Sequence, residues 1–342
     1  MSRAVDNRPP LRIGILGAAK IAPSALIQPA RSVPAAAVWS IAARDPARAE
    51  QFARRHGIPH VRRTYEELIG DPEVEAVYIP LPNSLHCAWS LRALAAGKHV
   101  LCEKPLASNA QEAQLMAEAA RAHGRLLVEA FHYRYHPLAA RIKAIVAGGE
   151  LGEITSLSAH LCVPLLRPGH IAYRLELSGG ATMDVGCYPV NLVRHLAGAE
   201  PSVVYARSRL ASPHLDRWME AGLQFPGGVT ARVVCSIFSV MLLRASATVR
   251  GTRGELTVWN PFHPHRYHRL RVSTPAGRRT EKVPGDTTYT HQLRAFVDMV
   301  RHGAPCPTPA EDAVANLRVI EGIYSRAGLP IRGITGASAT PQ

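Results

Sequence analysis

The run Leu11-Arg12-Ile13-Gly14-Ile15-Leu16 limits more than any other stretch what this chain can fold into. A strand that is nearly all apolar has to be covered on both faces, and layered α/β arrangements with a parallel sheet provide that cover. It runs directly into Gly17-Ala18-Ala19-Lys20-Ile21-Ala22, a small-residue turn of the form G-x-G-x-x-A with alanine at the second glycine. The pattern then repeats. Strand-like segments at Val38–Ala43, Val74–Leu81, His99–Cys102 and Leu126–Ala130 alternate with helical ones at Ala47–His56, Tyr65–Ile69, Leu85–Ala96 and Ser108–His123, the last two closed by Gly97 and Gly124. Alternation at this spacing predicts a doubly wound parallel sheet over residues 11–134, after a polar stretch, 1–10, that reads as disordered.

From residue 135 the pattern changes. Pro137–Val146 reads as a helix and Ile154–Val163 alternates like a strand. Pro164–Ser178 is irregular and arginine-rich, and Gly179-Gly180-Ala181-Thr182-Met183-Asp184-Val185-Gly186-Cys187-Tyr188-Pro189 opens a helix to about Leu196. Strand-like runs follow at Val203–Leu210, Gly222–Phe225, Val229–Leu243, Ala245–Val249, Gly254–Trp259 and Arg269–Val272 with no helix between them. Consecutive strands of this kind predict a large, mostly antiparallel sheet. Two helices end the fold. The first has Tyr289, Leu293, Phe296, Val297 and Val300 at helical spacing, and the second opens on Thr308-Pro309-Ala310-Glu311, which reads as a capping box. The chain is therefore expected to form an α/β domain over 11–134, an α+β domain over 135–332 and a disordered tail over 333–342.

Composition removes several classes of function. The longest apolar stretch, Val233–Leu243, is too short to cross a bilayer and contains serines, and Met1–Pro10 lacks the apolar core of a signal peptide, so a cytoplasmic enzyme with no membrane partner is expected. The six cysteines are scattered without a CxxC pair, which fits reduced thiols. A net charge of +14 raises nucleic acid as a partner. Only five of the 40 basic residues are lysine, and no helix concentrates arginines with base-reading side chains, so no nucleic-acid partner is expected. The charge can instead steer an anionic small molecule.

Four places carry chemistry. The turn Gly17, Ala18, Ala19, Lys20, Ile21 joins a strand to a helix, where backbone N–H groups and a helix dipole favour a pyrophosphate. At the end of the second strand, Ala43 and Arg44 stand where NAD-specific folds place an acid, and Asp45 before Pro46 reads as a helix cap, so NADP(H) is expected to be preferred over NAD(H). The strand His99–Cys102 ends in Glu103-Lys104-Pro105, which puts a lysine on a constrained backbone at the carboxyl end of a sheet, where such sheets bind ligands. Asp184 and Tyr188 lie one turn apart on an otherwise apolar helix face, a costly arrangement unless they meet polar partners. His132 and His136 are four apart, but the absence of HExxH and the proline at 137 argue against a metal. His263, His265 and His268 read as solvated loop residues, and no metal is expected.

Taken together, ILGAAKIA, the Tyr78–His86 turn, Glu103-Lys104-Pro105 and GGATMDVGCYP, in that order and spacing, make the chain resemble the Gfo/Idh/MocA oxidoreductases from Leu11 to Leu329. Within that family it looks most like the dimeric dihydrodiol dehydrogenases and NADP-dependent D-xylose dehydrogenases. The resemblance implies reversible hydride transfer between nicotinamide C4 and a carbinol carbon of a sugar, polyol or cyclic diol. It implies Lys104 and Tyr188 as the catalytic pair with Asp184 lining the site, Lys104 drawing Tyr188 toward the phenolate. Pro80, Leu81, Asn83, His86, Glu103 and Pro105 join the nucleotide turn on the cofactor side, and Arg134, His170, Tyr173 and Arg174 are substrate-side candidates. A homodimer or larger homo-oligomer through the second sheet is also implied. The alternative is a non-catalytic NADP(H)- or sugar-sensing protein of the same fold. Ser178 departs from the family, many members of which have a third glycine there.

Overall fold

A computed structural model describes residues 8–165, 169–238 and 243–333. The expected disordered ends lie outside the described residues up to 7 and from 334 on, as do 166–168 of the irregular loop and 239–242 of the long apolar run. Arg8 already contacts the folded chain, its guanidinium donating to the Arg301 carbonyl.

The first sheet has β1 (Leu11–Leu16), β2 (Ala36–Ala42), β3 (His60–Val61), β4 (Ala76–Ile79), β5 (His99–Cys102) and β6 (Leu127–Glu129), all parallel, in the order β3-β2-β1-β4-β5-β6. The two-residue β3 is too short to leave a periodic signal. Connecting helices are α1 (Gln28–Arg31, continuing a π-helical turn at Pro23–Ile27), α2 (Pro46–His56), α3 (Tyr65–Gly70), α4 (Asn83–Ala95) and α5 (Ala110–Ala122). Asp45 caps α2 by accepting from the Ala47 amide at 3.0 Å. The helix expected from Ser108 opens two residues later, because Asn109 caps it through the Glu112 amide. Strand β1 is covered on both faces: Ile13 and Ile15 enter one core and Leu16 the other.

The second half contains α6 (Pro137–Ala147), β7 (Ile154–Cys162), α7 (Cys187–Ala197), β8 (Ser202–Ser212), β9 (Leu215–Gln224), β10 (Thr230–Ser236), β11 (Arg244–Gly251), β12 (Gly254–Trp259), β13 (Arg269–Thr274), β14 (Gly277–Glu281), α8 (Thr288–His302) and α9 (Ala310–Arg326). The eight strands run β14-β13-β12-β11-β7-β10-β9-β8, antiparallel except for β7 against β10. Strand β14, Gly-Arg-Arg-Thr-Glu, has no apolar alternation and was not expected; it is an edge strand held by pairing to β13. Leu157, Ala159 and Leu161 of β7 face the core under α7, while Ser156 and Ser158 lie with Thr248 and Arg250 of β11 on the opposite, polar face.

The two closing helices depart from expectation in where they pack. Leu293, Phe296 and Val297 of α8 share a core with Ile13, Ile15 and Tyr78, so this helix covers the first sheet although it follows the second in sequence. Helical periodicity shows that one face is buried and says nothing about which sheet buries it. The capping box before α9 does not form. The Thr308 hydroxyl donates to the Glu129 carbonyl at 2.7 Å, fastening this segment to β6, and Pro309 stands at the cap without a side-chain bond.

One buried ion pair fixes the entry to α7. Asp216 and Arg332 are essentially inaccessible and 3.0 Å apart, and Asp216 also accepts from the Thr182 amide, the Thr182 hydroxyl and the Tyr324 phenol. Removing one partner leaves an uncompensated buried charge, so Asp216→Ala is expected to lower unfolding stability by about 3–5 kcal/mol. Urea denaturation checks this; a loss below about 1 kcal/mol would show that the pair does not hold the segment.

Candidate active site

The crevice at the carboxyl ends of β1 and β4 is where the strand order reverses, the place where open α/β sheets take ligands. Gly17 leaves β1 with φ +103°, a conformation that favours glycine, and any Cβ there would lie 2.9 Å from Leu81 on the turn after β4. Ala19 is half-buried and Lys20 and Ile21 are exposed. Among the described residues, the Lys20 and Ile21 amides find no backbone acceptor. Free N–H groups ahead of a helix fit a dinucleotide pyrophosphate. At the end of β2, buried Ala43 is followed by exposed Arg44, and Asp45 is committed to its cap. Arg48 folds back to donate to the Ala18 carbonyl at 3.0 Å. Tyr65, whose hydroxyl lies by Gly17, also borders this turn and was not expected.

The second turn is built around His86. Its fully buried ring bridges the carbonyls of Leu81 (2.8 Å) and Pro105 (2.9 Å), so it joins the turns after β4 and β5 and is itself closed off from the crevice. Pro80 is buried and Leu81 half-buried beside it, and Asn83 donates to the Ser178 carbonyl at 3.0 Å. Ser178 has φ +57°, the left-handed conformation that explains a preference for glycine at that position; its hydroxyl bonds Ser108.

Lys104 precedes a cis proline at the end of β5. Its ammonium donates to the Asp184 carbonyl at 2.7 Å and lies 5.1 Å from the centre of the Tyr188 ring. Burial works against the ammonium, but the Asp184 and Glu103 carboxylates and the Cys187 thiol outweigh it, and the lysine is held above its ordinary value. Burial pushes the Glu103 carboxyl up, and Glu103 accepts from the Tyr78 phenol at 2.7 Å. Behind this turn the buried Glu129 carboxylate accepts from the Leu106 amide at 2.9 Å.

Asp184 sits on a π-helical turn, Thr182–Gly186, that runs into α7, of which Tyr188 is the second residue. In that register the amide five residues beyond Asp184 belongs to Pro189, which has none to donate, so the carbonyl is available to Lys104. Among the described residues the Asp184 carboxylate makes no hydrogen bond or ion pair, and it is half-buried at the site. Tyr188 is packed between Phe131, Tyr133 and Phe262, and burial, followed by the neighbouring Tyr289 and Glu103, pushes its phenol well above the usual tyrosine value. This reverses the expected pull toward the phenolate: desolvation outweighs the nearby ammonium, and the group is a phenol at neutral pH.

The tertiary structure brings further residues to the site. Nε2 of His132 lies 3.1 Å from the Tyr188 hydroxyl, so His132, weighed above only as a metal ligand, belongs to the site. His263 and His265, expected in solvent, stack toward it: the His263 ring is 4.9 Å from that of His132, and burial lowers its pKa to about 4. His268 bonds backbone on both sides. Among the described residues no group of three or more His, Cys, Asp or Glu side chains is placed to hold a metal ion. Of the substrate-side candidates, Tyr173 donates to the Leu165 and Ile237 carbonyls and pins the irregular loop to the end of β10. His170 caps a short turn and exposed Arg174 pairs with Glu176. Arg134 is tied to Asn191, the Pro307 carbonyl and Asp312, in the packing between α7 and α9.

A six-stranded parallel sheet with a glycine turn open at its switch point is the architecture of a nucleotide-binding domain. Comparison with known proteins agrees. Residues 11–131 match the model described as oxidoreductase family, NAD-binding Rossmann fold, and 139–257 match the GFO/IDH/MocA C-terminal domain. The chain is 37% identical to an uncharacterized oxidoreductase, ORF334, of Rhizobium meliloti, over 93% of this chain and 97% of that protein. It is 35% identical to D-xylose 1-dehydrogenase (NADP(+)) 2 of Haloferax volcanii over the same shares. Its fold matches a crystal structure of KijD10, a 3-ketoreductase from Actinomadura kijaniata in complex with NADP and TDP-benzene, with a TM-score of 0.86 and 30% identity over 92% of this chain and 97% of that one. The chain belongs to the Gfo/Idh/MocA oxidoreductase family.

Burial and the Asp312 carboxylate raise the Glu129 pKa from 4.5 to about 8. A folded value above the unfolded one means that the proton on Glu129 stabilises the fold fully below the unfolded value, and the contribution is lost as pH rises toward about 8. Glu129→Gln keeps an acceptor for Leu106 and cannot ionise. Its Tm is therefore expected to gain on wild type as the pH is raised from about 5 to about 8; a constant difference across that range would contradict the assignment.

Proposed function

We propose that this protein is an NADP(H)-preferring oxidoreductase that interconverts a carbinol and a carbonyl on a sugar, polyol or cyclic diol, with Tyr188 as the acid–base group, Lys104 beside it and Asp184 orienting the substrate. The observation that carries the reading is the meeting of Lys104 with the Asp184 carbonyl and the Tyr188 ring at the carboxyl end of the sheet that bears the nucleotide turn. The relatives named as a xylose dehydrogenase and a 3-ketoreductase support a sugar-like substrate. The nicotinamide, when bound, supplies or accepts the hydride.

The chain's own residues manage the proton and the geometry. In reduction Tyr188, held as a phenol by burial, donates to the substrate oxygen. Lys104 places a cation where negative charge develops on that oxygen, and its anchor on the Asp184 carbonyl fixes its position across the cleft. The free Asp184 carboxylate accepts from substrate hydroxyls. Gly17 through Ile21 cradle the pyrophosphate, and Arg44 takes the 2′-phosphate. The polar face of the second sheet, around Ser158 and Arg250, is the surface through which a homodimer or larger homo-oligomer forms.

Following NADPH and NADH absorbance against aldoses, inositols, keto-sugars and dihydrodiols tests the activity, and silence across the panel would favour the sensing alternative. Lys104→Met and Tyr188→Phe are each expected to lower kcat at least about a hundredfold. Near-normal turnover in both would remove the assignment. Arg44→Ala is expected to weaken NADPH binding roughly tenfold and leave NADH unchanged, as read by fluorescence titration; equal effects on both cofactors would place the 2′-phosphate elsewhere.

A further inference from the structure

A phenol kept protonated by burial is a ready acid but a poor base, so a reversible reaction needs a way to take its proton out and bring one back. We propose that Tyr188 is served by a proton relay, His132–Thr288–His265, that runs from the site to the half-buried His265; this rests on the reading of Tyr188 given above. From the Tyr188 hydroxyl to Nε2 of His132 is 3.1 Å, from Nδ1 of His132 to the Thr288 hydroxyl 2.9 Å, and from that hydroxyl to Nδ1 of His265 3.3 Å. His132 and Thr288 are 1% and 0% exposed, so water has little access to the middle of the chain. His265 is half-buried beside exposed Arg266 and can exchange its proton with solvent.

The polarity of the chain follows from one further bond. The Thr288 amide donates to Nδ1 of His265 at 3.3 Å, so that nitrogen is an acceptor and His265 carries its proton on Nε2. The Thr288 hydroxyl then donates to His265, Nδ1–H of His132 donates to Thr288, and the Tyr188 hydroxyl donates to Nε2 of His132. Every proton points away from the site. The groups around His132 are Tyr188, Tyr289, His263, His265 and Lys104, and burial, together with the Lys104 ammonium, disfavours an imidazolium. His132 therefore passes a proton by taking one at Nε2 as it gives one up at Nδ1, neutral before and after.

In alcohol oxidation the substrate O–H bond breaks as its proton joins Tyr188 Oη, while the hydride leaves the same carbon for the oxidised nicotinamide. The proton formerly on Oη moves to His132, that of His132 to Thr288 and that of Thr288 to Nδ1 of His265, which releases Nε2–H to solvent. No free phenolate forms, and one proton leaves per hydride. Reduction runs the same chain inward, starting from His132 protonated on Nε2 and His265 protonated on Nδ1, the tautomers that oxidation leaves.

His132 and Thr288 act through Tyr188, so the test needs a readout that a packing role would leave alone. His132→Ala is expected to lower kcat about tenfold or more in the direction of oxidation, to leave the NADPH dissociation constant within about twofold, and to recover several-fold with added imidazole. Thr288→Val is expected to show a similar loss and a changed solvent deuterium isotope effect, and Thr288→Ser, which restores the hydroxyl, to recover most of it. A protein that oxidises alcohols while His132→Ala and Thr288→Val retain its rate and isotope effect overturns the relay alone. So does a His132→Ala loss that imidazole does not rescue while Thr288→Val keeps the wild-type isotope effect. A wild-type protein that consumes neither NADPH nor NADP+ with any substrate overturns the oxidoreductase reading and the relay with it.

Discussion

The 2.7 Å bond from the Lys104 ammonium to the Asp184 carbonyl is the contact on which the site depends. It joins the end of a strand in the first sheet to the first turn of a helix in the second half. With the Asn83–Ser178 and Ser178–Ser108 bonds it ties the turn that carries the lysine to the segment that carries the phenol. The carbonyl is available because the helix starts in π register and the amide that would claim it belongs to a proline. The irregularity at the head of α7 is thus what lets two halves of the chain form one site.

Burial then sets the protonation states. The same desolvation keeps Tyr188 a phenol, His132 a neutral imidazole and Glu129 protonated at neutral pH, while Lys104, surrounded by carboxylates, stays charged. A cation beside a protonated phenol suits a reaction in which negative charge develops on a single oxygen. Asp216 and Arg332 reach the same end by pairing, and they hold the glycine turn that feeds the π segment.

Much of the fold was legible because parallel strands covered on both faces write themselves as apolar runs, and Leu11–Leu16 and His99–Cys102 are such runs. Residues that work by contact between distant segments were not. His132 looked like half of a metal pair because only its neighbour at 136 was visible, whereas its partners are Tyr188 and Thr288. Thr308 looked like a cap because the local pattern fits one, and it is engaged by β6 instead. His86 was expected on the cofactor side, and its contacts with the Leu81 and Pro105 carbonyls, five and 19 residues away, show only in the folded chain.

By itself the sequence determined the α/β-then-α+β order, the position of the nucleotide turn, and Lys104 and Tyr188 as the residues to watch, since each follows from a local pattern of apolar runs, glycines and prolines. The tertiary structure alone decided that α8 covers the first sheet, that Tyr188 is a phenol and that His132 stands behind it. Those facts depend on which surfaces exclude water from one another, and burial between segments far apart in sequence leaves no periodic trace along a chain.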